Sequence, residues 1–266
     1  MQQAEDFRAE SRALAAILED LPEAGFHRAT QFKGWTIDHV LGHLHLFNAA
    51  AEAALQGDEA FAAFIAPVLR DMQAGKPILN CQFPWLNGLS GRALFEVWRL
   101  GAETCADAFA KADPKQRLKW IGPDMSALSS VTARQMETWA HGQEVFDLLG
   151  RERQEQDRIR NIAHLGVATY GWSFRNRGLE VPEPAPFVQL TGPSGAVWDW
   201  NAPQETGFVK GTAVEFARVV TQVRSLADTG LQLSGEAAAS WMRIAQCFAG
   251  PPETPPGKGN RYKAET

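Results

Sequence analysis

The periodicity of this chain changes once, near Gly178, and that change limits what it can fold into. Before it, apolar residues recur at helical spacing in long stretches, closed by Leu21-Pro22, Gly57-Asp58, Asp113-Pro114 and Gly150. After it come the stiff run Val181-Pro182-Glu183-Pro184-Ala185-Pro186 and then short alternating segments. The expectation is a mainly α chain: a four-helix bundle with an extra helix over 1–178, a small α+β domain over 179–252, and a flexible tail over 253–266.

Within the first part the spacing predicts helices over 4–20, 37–55, 91–112, 127–149 and 157–177. A shorter one is expected near 61–73, followed by an irregular span through Pro77, Pro84, Asn87 and Gly88. Thr36 and Ser126 are good N-caps, and Trp35 can staple onto Val40. In 91–112 the buried side is read as Leu94, Val97, Trp98, Leu100, Gly101, Cys105 and Phe109. In the second part, Phe187-Val188-Gln189-Leu190 and Ala196-Val197-Trp198-Asp199-Trp200 flank Gly192-Pro193-Ser194-Gly195, which signals a hairpin. A helix over 212–226, a strand at Leu231-Gln232-Leu233 and a helix over 237–248 complete the expectation.

Composition narrows the function. The net charge of −5 gives no reason to expect nucleic acid or an anionic membrane as partner. Three scattered cysteines form no pair with metal or disulfide spacing, and Met1-Gln2-Gln3-Ala4-Glu5-Asp6 does not read as a signal peptide. A cytoplasmic protein is expected.

Two stretches carry the chemistry. Trp35-Thr36-Ile37-Asp38-His39-Val40-Leu41-Gly42-His43 lies in one helix and Glu137-Thr138-Trp139-Ala140-His141 in another. Residues four apart on a helix differ by about 40° in azimuth, so Glu137 and His141 share a face. A third ligand from the earlier helix would complete a two-His, one-Glu set with positions left open, the composition of catalytic metal sites. Spacing alone does not choose between His39 and His43. Arg134, one turn before Glu137, is suited either to a substrate carboxylate or to pairing with Glu137. Glu144 and Asp147 read first as solvated carboxylates.

The segment from Trp35 to Leu44 resembles the Trp-Ser/Thr…His-Leu signature of DinB-like helical bundles. It is closer to the N-terminal domain of mycothiol-dependent maleylpyruvate isomerase, whose Glu-x-x-x-His helix resembles Arg134-Gln135-Met136-Glu137-Thr138-Trp139-Ala140-His141-Gly142-Gln143-Glu144-Val145. The resemblance implies metal ligands at His43, Glu137 and His141, with His39 in a supporting position only. It also implies a divalent ion, zinc or nickel by affinity order, and a low-molecular-weight thiol whose proton is lost on the cation. The function expected is a metal-dependent small-thiol transferase or isomerase acting on a small molecule. The alternatives are a non-catalytic metal- or ligand-binding module, or a homodimeric assembly protein with a structural metal.

Overall fold

The computed structural model describes residues 1–261. It divides into two compact units, Met1–Arg151 and the chain from Glu152 onward. The first holds helices α1 (Gln2–Ala16), α2 (Ile37–Gln56), α3 (Asp58–Gln73), α4 (Ile78–Leu86) and α5 (Gly91–Lys111). Strands β1 (Arg117–Leu118) and β2 (Met125–Ser126) then pair antiparallel and lead into α6 (Ala127–Leu148). Helices α1, α2, α5 and α6 pack on one another as the four-helix bundle, and α3 and α4 lie against α2.

Apolar stripes explain this packing. Phe7 and Leu14 of α1, Val40 and Leu44 of α2, Trp98 and Phe109 of α5, and Val131 and Val145 of α6 are all buried. Each large side chain removed from water contributes about 1.5–3 kcal/mol. On α5 the buried stripe is narrower than expected. Leu94, Trp98, Cys105 and Phe109 are buried, whereas Val97 and Leu100 are 41% and 60% exposed. Those two lie about 120° and 180° from the centre of the stripe, which the broader reading overlooked.

Helix ends fix where α2 and α6 begin. Thr36 caps α2: its hydroxyl accepts the His39 N–H, and the Thr36 N–H donates to His39 Nδ1. Ser126 accepts the Ser129 N–H at the start of α6. The start of α5 is capped from another helix. Asp38 of α2 is nearly buried, accepts the Gly91 N–H at 2.7 Å and pairs with His27 at 2.8 Å. Gly42 lets α4 approach α2, because a Cβ there would sit 2.7 Å from Leu86 Cδ1.

The span expected to be irregular contains α4. Pro77 precedes it, Pro84 lies inside it, and Asn87 ends it in the left-handed conformation. The prolines made a nine-residue helix read as loop. The expected helix over 157–177 is two, α7 (Ile159–Ala168) and α8 (Tyr170–Arg175), interrupted at Thr169. The Thr169 hydroxyl donates to the carbonyls of Leu165 and Gly166, and such back-bonding bends helices. Both helices belong to the second unit, where α7 packs on α9 (Ala213–Val220). The division therefore falls at Arg151, ahead of the Gly178 boundary read from the sequence.

The second unit is built on a four-stranded sheet of β3 (Phe187–Thr191), β4 (Val197–Trp200), β5 (Phe208–Thr212) and β6 (Gln232–Ser234), in the order β4-β3-β5-β6. The β3–β4 hairpin turns at Gly192-Pro193-Ser194-Gly195 as expected. Strand β5, absent from the sequence reading, runs parallel to β3. Helix α10 (Glu236–Ile244) buries Trp241. In the segment expected to be a flexible tail, the Glu253 N–H donates to Gln246 and Arg261 donates to the Gln222 carbonyl. Residues 262–266 lie outside the described residues.

Two outcomes are expected. Asp38→Ala should destabilise the full chain by about 1–3 kcal/mol, because it strips a buried N–H of its partner; an unchanged denaturation midpoint would contradict the cross-helix cap. A fragment of residues 1–151 should give a cooperative thermal melt by itself; an aggregated, non-cooperative product would show that the units need each other to fold.

Candidate metal centre

The bundle brings one residue of α2 and two of α6 to a single point. His43 projects from the middle of α2, and Glu137 and His141 share a face of α6, which packs against α2. His43 Nε2 lies 3.4 Å and His141 Nε2 3.3 Å from the same oxygen, Glu137 Oε2. Candidate ligand atoms of all three residues fall within 4.8 Å of one another. No other group of three or more His, Cys, Asp or Glu suited to a metal occurs among the described residues.

Aromatic rings hold the imidazoles. Trp35, placed by the cap of α2, stacks on His141 with ring centres 5.6 Å apart and meets His43 by its edge. Phe32 meets His141 edge-on, and Phe47, one turn beyond His43, packs on the His43 ring at 4.7 Å. His43 Nδ1 is buried without a hydrogen-bond partner, so ring contacts set its orientation. The three side chains are only 12–18% exposed.

Burial controls their charge. It pushes the His43 ring down to about 4, against the pull of Glu137, so this imidazole is neutral near pH 7. Burial by itself would raise the Glu137 carboxyl. The hydrogen bonds from His141 and His43 outweigh it and hold the group well below the usual carboxylate range. An ionised carboxylate beside a neutral imidazole is the protonation state a cation needs in its ligands.

His39, left open by periodicity, is not at this point. Its Nδ1 accepts the Thr36 N–H and its ring packs on Phe83. Glu144 and Asp147, read as solvated, are 2% and 5% exposed, and Asp147 accepts a hydrogen bond from Gln143. Arg134 does not pair with Glu137. It is 4% exposed and lies over the rings of Phe47 and Trp120. Sequence reasoning gave Phe47 and Trp120 no part in the site. The i+4 spacing of Phe47 from His43 was a readable signal, whereas Trp120, between β1 and β2, carried none.

Comparisons with known proteins agree with this architecture. Residues 7–146 match the family described as the mycothiol maleylpyruvate isomerase N-terminal domain. Uncharacterized proteins from two strains of Mycobacterium tuberculosis are 38% identical over 247 residues, covering 93% of this chain and 95% of theirs. Crystal structures of mycothiol-dependent maleylpyruvate isomerase, one of them of a mutant, superpose with a TM-score of 0.51. They cover 82% of this chain and 87% of theirs at 15% identity, a likeness of fold. With more than half its length matched by the family profile and close relatives along nearly all of it, the chain belongs to the mycothiol maleylpyruvate isomerase N-terminal domain family.

Proposed function

We propose that His43, Glu137 and His141 hold a divalent metal ion with open positions, and that the protein is a metal-dependent small-thiol transferase or isomerase. The observation that carries the metal is a pair of distances. Two ligand atoms about 2.05 Å from a tetrahedral ion are separated by about 3.3 Å. The two Nε2–Oε2 separations are 3.4 and 3.3 Å. A hydrogen bond between imidazole and carboxylate is normally about 2.7–2.9 Å. Each imidazole nitrogen therefore stands from the carboxylate oxygen at the edge length of a coordination polyhedron, a long separation for the hydrogen bond it makes there. The set is also chemically fit: two imidazoles and a carboxylate suit zinc or nickel, and three protein ligands leave room for an exogenous one.

When bound, such an ion would lower the pKa of a thiol or water at its open position and hold the resulting anion ready to attack. The protein's own residues do the rest. Trp35, Phe32 and Phe47 wall the imidazoles and reduce access of water from their side. Burial keeps His43 neutral and able to donate its lone pair, and Glu137 supplies the negative charge that a dication requires. Family membership supports a thiol as the exogenous group and a small molecule as its target.

Metal analysis of the purified protein should find about one divalent ion per chain. His141→Ala or Glu137→Ala should lower metal affinity about tenfold or more; equal metal content in wild type and His141→Ala would remove His141 from the site. Thiol consumption against a panel of small electrophiles should require the metal and be lost in His43→Ala. Chelation should leave the helical circular dichroism and a cooperative melt in place, since apolar stripes hold the bundle together. Collapse of the fold on chelation would instead make the metal structural.

Acid should weaken the metal-free protein in a defined window. The folded His43 titrates near 4 and its unfolded counterpart near 6.5. As pH falls through 6.5 the unfolded chain takes up a proton that the folded one refuses, so stability drops until about pH 4 and then levels for this group. Glu137, depressed in the folded state, adds a loss of the same sign below its unfolded value. Thermal melts of wild type and His43→Gln between pH 7 and 4 should diverge by on the order of 2 kcal/mol. Parallel curves would show that His43 is not held neutral by burial.

A further inference from the structure

Opposite its buried stripe, α5 carries a second one that faces water. Ala93, Val97, Leu100 and Thr104 are all exposed, at spacings of four, three and four residues. Leu100 is the most exposed large apolar side chain among the described residues. Thr104 turns its hydroxyl back to the Leu100 carbonyl, with which it bonds at 3.1 Å, and so adds a methyl group to the stripe. The outer face of a solvated helix ordinarily carries charge, whereas apolar residues alternating at four and three form the seam along which two helices pack. Charges flank the seam as pairs already made within the chain, Arg99 with Glu96 and Arg12 of α1 with Glu103. Beside it a groove of about 550 Å³ opens between α1 and α5, lined in part by Ser11, Ala15, Ala16 and Leu100.

We propose that this face joins two copies of the chain, their α5 helices antiparallel about a twofold axis between Val97 and Leu100. A twofold contact must be complementary to itself, and this face is. Turned about that axis, Val97 meets the partner's Leu100 and Ala93 meets the partner's Thr104, while the small residues of the groove make room for the larger side chains. The flanks oppose one another as neutral units. Glu96–Arg99 of one copy comes beside Arg12–Glu103 of the other, which offers each guanidinium a carboxylate from the opposite chain. Charge also selects the direction. The next two seam positions are Asp107 and Lys111, both exposed, and a parallel pair would set each against its own copy. The antiparallel pair brings Asp107 beside the uncharged Ser90 of the partner and carries Lys111 past the end of the partner's helix.

Sedimentation equilibrium of the full chain over about 1–100 μM should show one copy passing into two as concentration rises. Leu100→Glu places a carboxylate near the axis in both copies and should weaken association about tenfold or more, with the helical circular dichroism unchanged. Val197→Glu, at a similarly exposed apolar residue of the second unit, should associate as wild type does. Introduced cysteines test the direction, since Cys81, Cys105 and Cys247 are all buried. Oxidised glutathione takes up the two electrons released as two protein thiols join, and is itself reduced to two thiols. With it, a mixture of Val97→Cys and Leu100→Cys should yield a covalent dimer holding one of each, whereas a parallel seam would link each variant to itself. Three results overturn the proposal: a wild type that stays monomeric throughout, Leu100→Glu associating as strongly as wild type, or variants that link only to themselves. Chelation should leave association unchanged, because the His43–Glu137–His141 cluster lies on α2 and α6. A dimer lost on chelation would likewise overturn an assembly held by the α5 seam.

Discussion

A carboxylate taken out of water must be hydrogen-bonded where it stands, and the first unit of this protein is arranged around one such group. Glu137 sits largely buried on α6, and its carboxylate is hydrogen-bonded to His43 across the helix interface and to His141 one turn along. The pairing of α2 with α6 therefore has a unique register. A slip of one residue on either helix would move a histidine away by about 100° and leave the charge uncompensated. Apolar stripes bring the helices together, but stripes tolerate sliding; the polar triad does not.

That register depends on helix ends far from the triad in character. The Thr36–His39 box sets where α2 starts, Asp38 ties that start to α5, and Ser126 sets where α6 starts. Each is a short polar contact worth about 1 kcal/mol. Their effect at the site is geometric, since each fixes an azimuth carried along several helical turns to His43 or Glu137.

These devices also explain what could be read from the chain beforehand. Thr36, Ser126 and Gly150 are local signals, and the helices they bound came out close to expectation. Glu137 and His141 share a helix, so their convergence was legible from spacing. Choosing His43 over His39 was not, because both lie on one face and the decision is made by His39 turning back to its own helix's first N–H. Helix α4 was hidden by two prolines, and strand β5 by its short, glycine-containing run against β3. Burial of Glu144, Asp147 and Arg134 was beyond reach. A charged residue on a helix reads as solvated unless one knows what packs over it, and here that includes Trp120 from a separate loop.

The capping role of His39 ties local chain chemistry to the reaction centre. To accept the Thr36 N–H, Nδ1 of His39 must carry no proton, and both burial and the positive end of α2 favour the neutral ring. Trp35 is the residue immediately before this cap, and its indole lies flat against His141. The first turn of α2 thus joins the capping imidazole, through one adjoining residue, to the ring that backs a candidate metal ligand. Tuning of the centre need not involve its own residues: a substitution in the Thr36–His39 box would reach His141 through a single stacked ring.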